Sequence, residues 1–281
     1  MLPLQNLPQE QALSLIKVLI NDTSEATKTT LNTVFKNLVE SNAHLEIVKI
    51  LMQDKRIDPS ANNNFAIRHT SQHGYLEIVK ILMQDKRVDP SANNNYAITY
   101  ASQHGYLEIL KILMQDKRID PSAYNNYAII YASANGHLEI VKMLIQDKRV
   151  DPSADNNWAI KYASRHGHSE IVKMLMQDER VDPSADSNYA ITYALQNGHL
   201  ETVRILIPKI DLGKITDSKI LNFLEEINNK DNEKTIFEEL NTEIDALKTQ
   251  NEELKTQNEE LKTQNEELKT QNEELKTQNE E

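Results

Sequence analysis

The chain contains no cysteine, which excludes disulfide staples and thiolate-bound zinc and suits a reducing, intracellular setting. Its 281 residues include only six glycines, too few and too scattered for a phosphate-cradling Gly-rich loop. No apolar run approaches the roughly 20 residues that span a bilayer, so membrane insertion is not expected. The first residues, MLPLQNLPQEQ, lack the basic start and apolar middle of a secretory signal. Positive charge is also missing where nucleic acid would need it. Residues 58–181 balance to zero, and the net charge of −12 gathers in 182–246 (−7) and 247–281 (−5). With no basic stripe to follow a phosphate backbone, nucleic-acid binding is disfavoured.

What the chain has is a period. Asp-Pro-Ser-Ala opens units at Asp58, Asp89, Asp120, Asp151 and Asp182, and a glycine follows in each, at Gly74, Gly105, Gly136, Gly167 and Gly198. Self-similarity at 31 residues means an array of small units that bury their cores against each other. The units run 58–88, 89–119, 120–150, 151–181 and 182–210.

The second unit stands for all five. Asp89-Pro90-Ser91-Ala92 is turn chemistry. Asn95 recurs in every unit before a short apolar run, a pattern that fits a helix N-cap. A first helix follows from Tyr96 to Gln103, with Ala97, Ile98 and Ala101 on one face, and Gly105 suits the left-handed residue that ends it. A second helix runs from Leu107 to Gln115. Only Glu108, Lys111 and Gln115 are polar there, so it is expected to be buried on all sides but one strip. Lys117 and Arg118 follow its end, where cations complement the helix dipole.

The segment Gly136–Ala154, GHLEIVKMLIQDKRVDPSA, resembles the second helix and turn of the ankyrin repeat, and Ala101-Ser-x-x-Gly105 parallels that family's Ala-Ala-x-x-Gly. The likeness spans residues 12–228. Tyr-Ala-Ile-Thr at Tyr96–Thr99 replaces the family's Thr-Pro-Leu-His. The unit is also shorter than the family's usual length of about 33 residues. The resemblance implies an all-α solenoid of helix-turn-helix units with a short hairpin turn. It also implies a non-enzymatic scaffold for a protein partner. The DPSA and NYAI signatures are similar to ankyrin families of giant DNA viruses that infect amoebae, which implies the host cytoplasm.

The ends depart from the repeat. Residues 1–57 read as an N-terminal cap and a degenerate first repeat, with Pro8 suited to a helix start and Ala43 in the glycine position. A rival reading takes Leu7, Pro8 and Glu10 as the start of an F-box-like motif, making residues 1–40 an adaptor for a ubiquitin ligase. Residues 211–228 read as a C-terminal cap. From Glu233 the period becomes seven: Leu240, Leu247, Leu254, Leu261, Leu268 and Leu275 are evenly spaced, and 247–281 are five copies of LKTQNEE. Residues 233–281 are thus a coiled-coil pattern with Leu at d and Asn at a from Asn251 onward, expected to self-associate weakly. A tandem duplication without a role remains open beside it.

No catalytic or metal-binding set escapes the repeat. Seven of the eight histidines fall at the loop positions and His69 on a first helix, so no cofactor is expected. The rings at Phe65, Tyr96, Tyr127, Trp158 and Tyr189 read as packing between first helices. Candidates for a partner surface are the positions that vary between units: Asn93, Tyr124 and Asp155 in the turn, then Thr99, Ile130 and Lys161, and Gln103, Ala134 and Arg165 on the first helix. In ankyrin proteins the hairpin and first helix line the concave, partner-binding face. Drift on a solvated face would give the same variation.

Overall fold

A computed structural model describes residues 4–209, 250, 252–266, 268 and 269. Every regular element among these is helical. Two units are distinguished, 1–215 and 216–281.

The first unit is a stack of helix pairs. After a cap helix α1 (Gln9–Asn21), the pairs are α2 (Glu25–Ser41) with α3 (Leu45–Gln53), α4 (Ala61–His73) with α5 (Leu76–Leu82), and α6 (Ala92–Gln103) with α7 (Leu107–Leu113). They continue as α8 (Ala123–Ala134) with α9 (Leu138–Ile145), α10 (Ala154–Arg165) with α11 (Ser169–Leu175), and α12 (Ala185–Gln196) with α13 (Leu200–Leu206). Inter-unit packing is densest between successive first helices. Ala97, Ala101, Ala128, Ala132, Ala159 and Ala163 are essentially fully buried there, and their small side chains let the backbones approach.

The second helices α3, α5, α7, α9 and α11 each bury three aliphatic side chains, such as Ile109, Leu110 and Leu113 in α7, worth about 1.5–3 kcal/mol apiece against exposure. Leu107, Ile112 and Met114 are only half-buried, so the helix is less enclosed than its composition suggests. The expected polar strip of Glu108, Lys111 and Gln115 is exposed, with Lys111 and Glu108 paired at 2.6 Å.

α1 buries Ala12 and Ile16 while Leu15 and Val18 face water. Pro8 stands just before its first turn. Ser24 caps α2 by accepting from the Thr27 N–H. Ala43 cannot take a left-handed conformation cheaply, and the turn puts its positive φ on Asn42 and His44 instead, both at 51°.

The turn before each first helix differs from the expected N-cap. Asp89 Oδ1 accepts from the Ser91 N–H at 3.0 Å and its hydroxyl at 2.7 Å, closing the expected turn. Three consecutive residues then turn left-handed, Asn93, Asn94 and Asn95 in α6. Every full unit repeats this, giving fifteen residues with φ between 52° and 65°. Regular helical angles begin at Tyr96. An N-cap needs extended backbone to aim its side chain at its own helix. The left-handed Asn95 is buried, and its Oδ1 accepts from the Asp120 N–H of the next unit at 2.8 Å. Asn64, Asn126 and Asn157 do the same to Asp89, Asp151 and Asp182 at 2.7 Å. These asparagines are therefore brackets between units.

In the second unit, residues 252–266 form one helix, α14. The cap at 211–228 and the heptad residues Leu240, Leu247 and Leu275 lie outside the described residues. No described helix is long and apolar enough to cross a membrane.

Candidate protein-binding face

The polar seams that join units decide which side chains are left for a partner. Arg118 grips Asp116 through Nε and Nη2, at 3.0 and 2.6 Å, and its Nη1 donates to the Val88 carbonyl of the preceding unit at 2.9 Å. Arg87, Arg149 and Arg180 repeat this on Ile57, Ile119 and Val150. The hydrogen bond from Arg118 holds the Asp116 carboxyl below its ordinary range, against the opposing effect of burial. The role expected for these arginines was to complement a helix dipole. The geometry makes them clasps between repeats.

The loop histidines form a second seam. His137 Nε2 lies 3.0 Å from the Gln103 carbonyl and His168 Nε2 3.1 Å from that of Ala134. A carbonyl only accepts, so each ring carries its proton on Nε2 when neutral. Burial is the largest cause lowering the His168 pKa, and the neighbouring rings His166, His137 and His199 add to it. Gly105 has φ +81°, and a Cβ there would come within 2.7 Å of the His137 ring. Glycine is needed at that position both for the turn and for the ring. Among the described residues, no group of three or more His, Cys, Asp or Glu could hold a metal ion.

The nine sequence candidates fall into three rows. Asn93 and Tyr124 are exposed and Asp155 is half-buried, all on left-handed backbone in the turn. Gln103 and Ala134 are half-buried and Arg165 is exposed at the ends of their helices. Thr99, Ile130 and Lys161 are buried, at 4%, 1% and 4% exposure, which corrects their placement on a solvated face. That row points into the seam between first helices. Lys161 Nζ sits 3.1 Å from Asp186 and over the Tyr189 ring of the next unit. Thr99 turns its hydroxyl back to the Asn95 carbonyl at 3.2 Å.

The aromatic rings are only half-covered. They pair along single helices, with centroids 4.0 Å apart for Tyr96 and Tyr100, 5.3 Å for Tyr127 and Tyr131, and 4.9 Å for Trp158 and Tyr162. Between units they meet polar groups: the Arg68 guanidinium lies 5.4 Å over the Tyr96 ring, and the Tyr96 hydroxyl donates to Gln72 at 3.0 Å. Burial raises the pKa of Tyr131 and Tyr162. Tyr124 stacks on Tyr127 at 5.9 Å yet stays 45% exposed, and Trp158 is 37% exposed. Packing between first helices, the reading favoured by the sequence for this ring, leaves it more open than expected. Its being the only tryptophan, where other units carry Tyr or Phe, was the available signal.

A family model described as "Ankyrin repeats (3 copies)" matches residues 36–125, 100–187, 129–220 and 162–236. These stretches cover most of the chain, and the protein belongs to the ankyrin repeat family. A crystal structure, that of EF0377, an ankyrin repeat protein, is similar at 27% identity and TM-score 0.51, covering 63% of this chain and 97% of that one. No curated protein matches. Ankyrin repeats generally mediate protein–protein interactions, and their family is typically a non-enzymatic scaffold.

Proposed function

We propose that this protein is a non-enzymatic scaffold whose first-helix face, the concave side of an ankyrin array, binds a protein partner around Tyr124, Trp158 and Arg165. The observation that carries this reading is Tyr124. It is an exposed tyrosine on left-handed backbone, where the four equivalent residues of the other units are two Asn and two Asp. An L-residue there is strained by about 1–2 kcal/mol, and Asn relieves part of that. Strain kept at an exposed ring points to binding. Trp, Tyr and Arg are the residue types that dominate binding energy at interfaces. The remaining surface candidates, Asn93, Gln103, Ala134 and Asp155, flank these anchors.

The heptad tail joins copies of the chain in this reading, so that two arrays engage a partner with added avidity. In this reading the narrower likeness to giant-virus families makes the host cytoplasm the compartment in which to look for the partner. The adaptor alternative is not taken up. α1 and α2 bury Ala12, Ile16, Leu31, Val34 and Phe35, and the His44 ring holds the Leu4 carbonyl at 3.1 Å. Helices α1 and α2 therefore already take part in packing the stack.

The test is a proximity-labelling screen in the native cell, followed by a pull-down with Tyr124, Trp158 and Arg165 all changed to Ala. Partner recovery should drop at least about tenfold, one hot-spot contact's worth, while helical content is unchanged. Full recovery by a folded variant would sink the assigned face.

A further inference from the structure

α14 presents an apolar row that its own unit leaves open. Leu254 and Leu261 are 49% and 57% exposed, and Leu268 beyond it is 56% exposed. Asn258 and Asn265 share that side in the a position and are exposed as well. In each LKTQNEE heptad, Leu is d, Lys is e, Gln is g, Asn is a, and the two Glu are b and c. The e lysines are already engaged within the helix. Lys255 pairs with Glu252 at 2.7 Å and Lys262 with Glu259 at 2.8 Å. Apolar and amide groups thus form the contact face, and its edges carry no unmatched charge to recruit a basic or acidic partner.

The complement of this face is a second copy of itself, and one orientation fits. In an antiparallel pair, a meets d: each Asn amide would press on Leu, leaving a polar group unpaired, and e lysines would face each other. In a parallel pair, Leu meets Leu, Asn pairs its amide with Asn, and Lys faces Gln. An Asn at a specifies such pairs while weakening them.

Ordinarily a lone Asn also locks the register. Here Asn fills every a position in five identical copies across 247–281. Within 247–281, sliding one chain by seven residues replaces Leu with Leu and Asn with Asn; the shift loses a layer at one end and sets Asn251 against Ile244 at the other. We propose that copies of this chain pair in parallel through the heptads in sliding register, in steps of about 10.5 Å, seven residues at 1.5 Å each. The linkage is a tether of adjustable stagger between arrays. This rests on the reading that the heptads join copies, and adds the orientation and the slip.

The absence of cysteine makes the test clean, since each single-cysteine variant carries one thiol. Full-length Asn258→Cys and Asn265→Cys chains, one lengthened by a tag, are mixed and oxidised at concentrations spanning the dimer transition seen by sedimentation. Parallel pairing predicts disulfide homodimers of each variant, because a layers face a layers. Slip predicts the mixed dimer in amounts comparable to the homodimers, because residues one heptad apart in a locked register are too far to bridge. Homodimers without the mixed species overturn the slip and leave pairing intact. Assembly without any disulfide overturns the parallel orientation. Chains that stay monomeric and uncrosslinked overturn self-association itself, with the partner-binding face unaffected.

Discussion

Tyr124 shows how a single residue can depart from what its repeat requires. Its equivalents, Asn62, Asn93, Asp155 and Asp186, have short polar side chains that tolerate left-handed backbone. A ring at that position brings steric strain and leaves nearly half its surface in water. Tyr124→Asn should therefore raise stability by about 0.5–1 kcal/mol in denaturant unfolding while weakening partner recovery. A variant that loses stability instead would show that stacking on Tyr127 outweighs the strain. The hydroxyls of Ser71, Ser133 and Ser164 are buried without a hydrogen-bond partner, whereas that of Ser102 reaches the Ile98 carbonyl at 2.8 Å. No structural reason for keeping these three hydroxyls is evident.

At the scale of the element, the seams between units set the pH response. Asp54, Asp85, Asp116, Asp147 and Asp178 have carboxyls held below their ordinary pKa, first by hydrogen bonds from their arginines. A depressed carboxylate stabilises the fold above its unfolded pKa, and that stability is lost as pH falls through the folded value. His69 and His168 are depressed chiefly by burial, so the folded state prefers them neutral. Their contribution is present above about pH 6.5 and declines as pH drops below it. Stability followed by chemical denaturation should thus fall in two stages on acidification, first below about pH 6.5 and then below about pH 4. His168→Gln should flatten part of the first stage and leave the second. A single stage confined to low pH would remove the histidine seam from the account.

For the whole array, stability is a sum over units and their interfaces, so an interior lesion is felt on both sides. Leu144 is fully buried in α9, between α7 and α11. Leu144→Ala should cost about 2–5 kcal/mol. Ile16→Val in the cap should cost about 0.5–1.5 kcal/mol. Equilibrium denaturation of the two variants checks the order. Equal losses would mean that the cap governs the unfolding of the whole stack.

Much of this was legible in the chain. The period, the start of regular helix at Tyr96, the left-handed Gly105 and the buried Ile109, Leu110 and Leu113 follow from local turn chemistry and hydrophobic spacing, which act within a few residues. These local signals therefore set the repeat and its helices. The sequence by itself could not say that Asn95 reaches Asp120, that Arg118 reaches Val88, or that Thr99, Ile130 and Lys161 face inward while Trp158 faces out. Those outcomes depend on how far one unit turns and shifts against the next. Only the tertiary structure decided them, because contacts some 25 to 30 residues apart are set by the approach of the backbones and not by either segment alone.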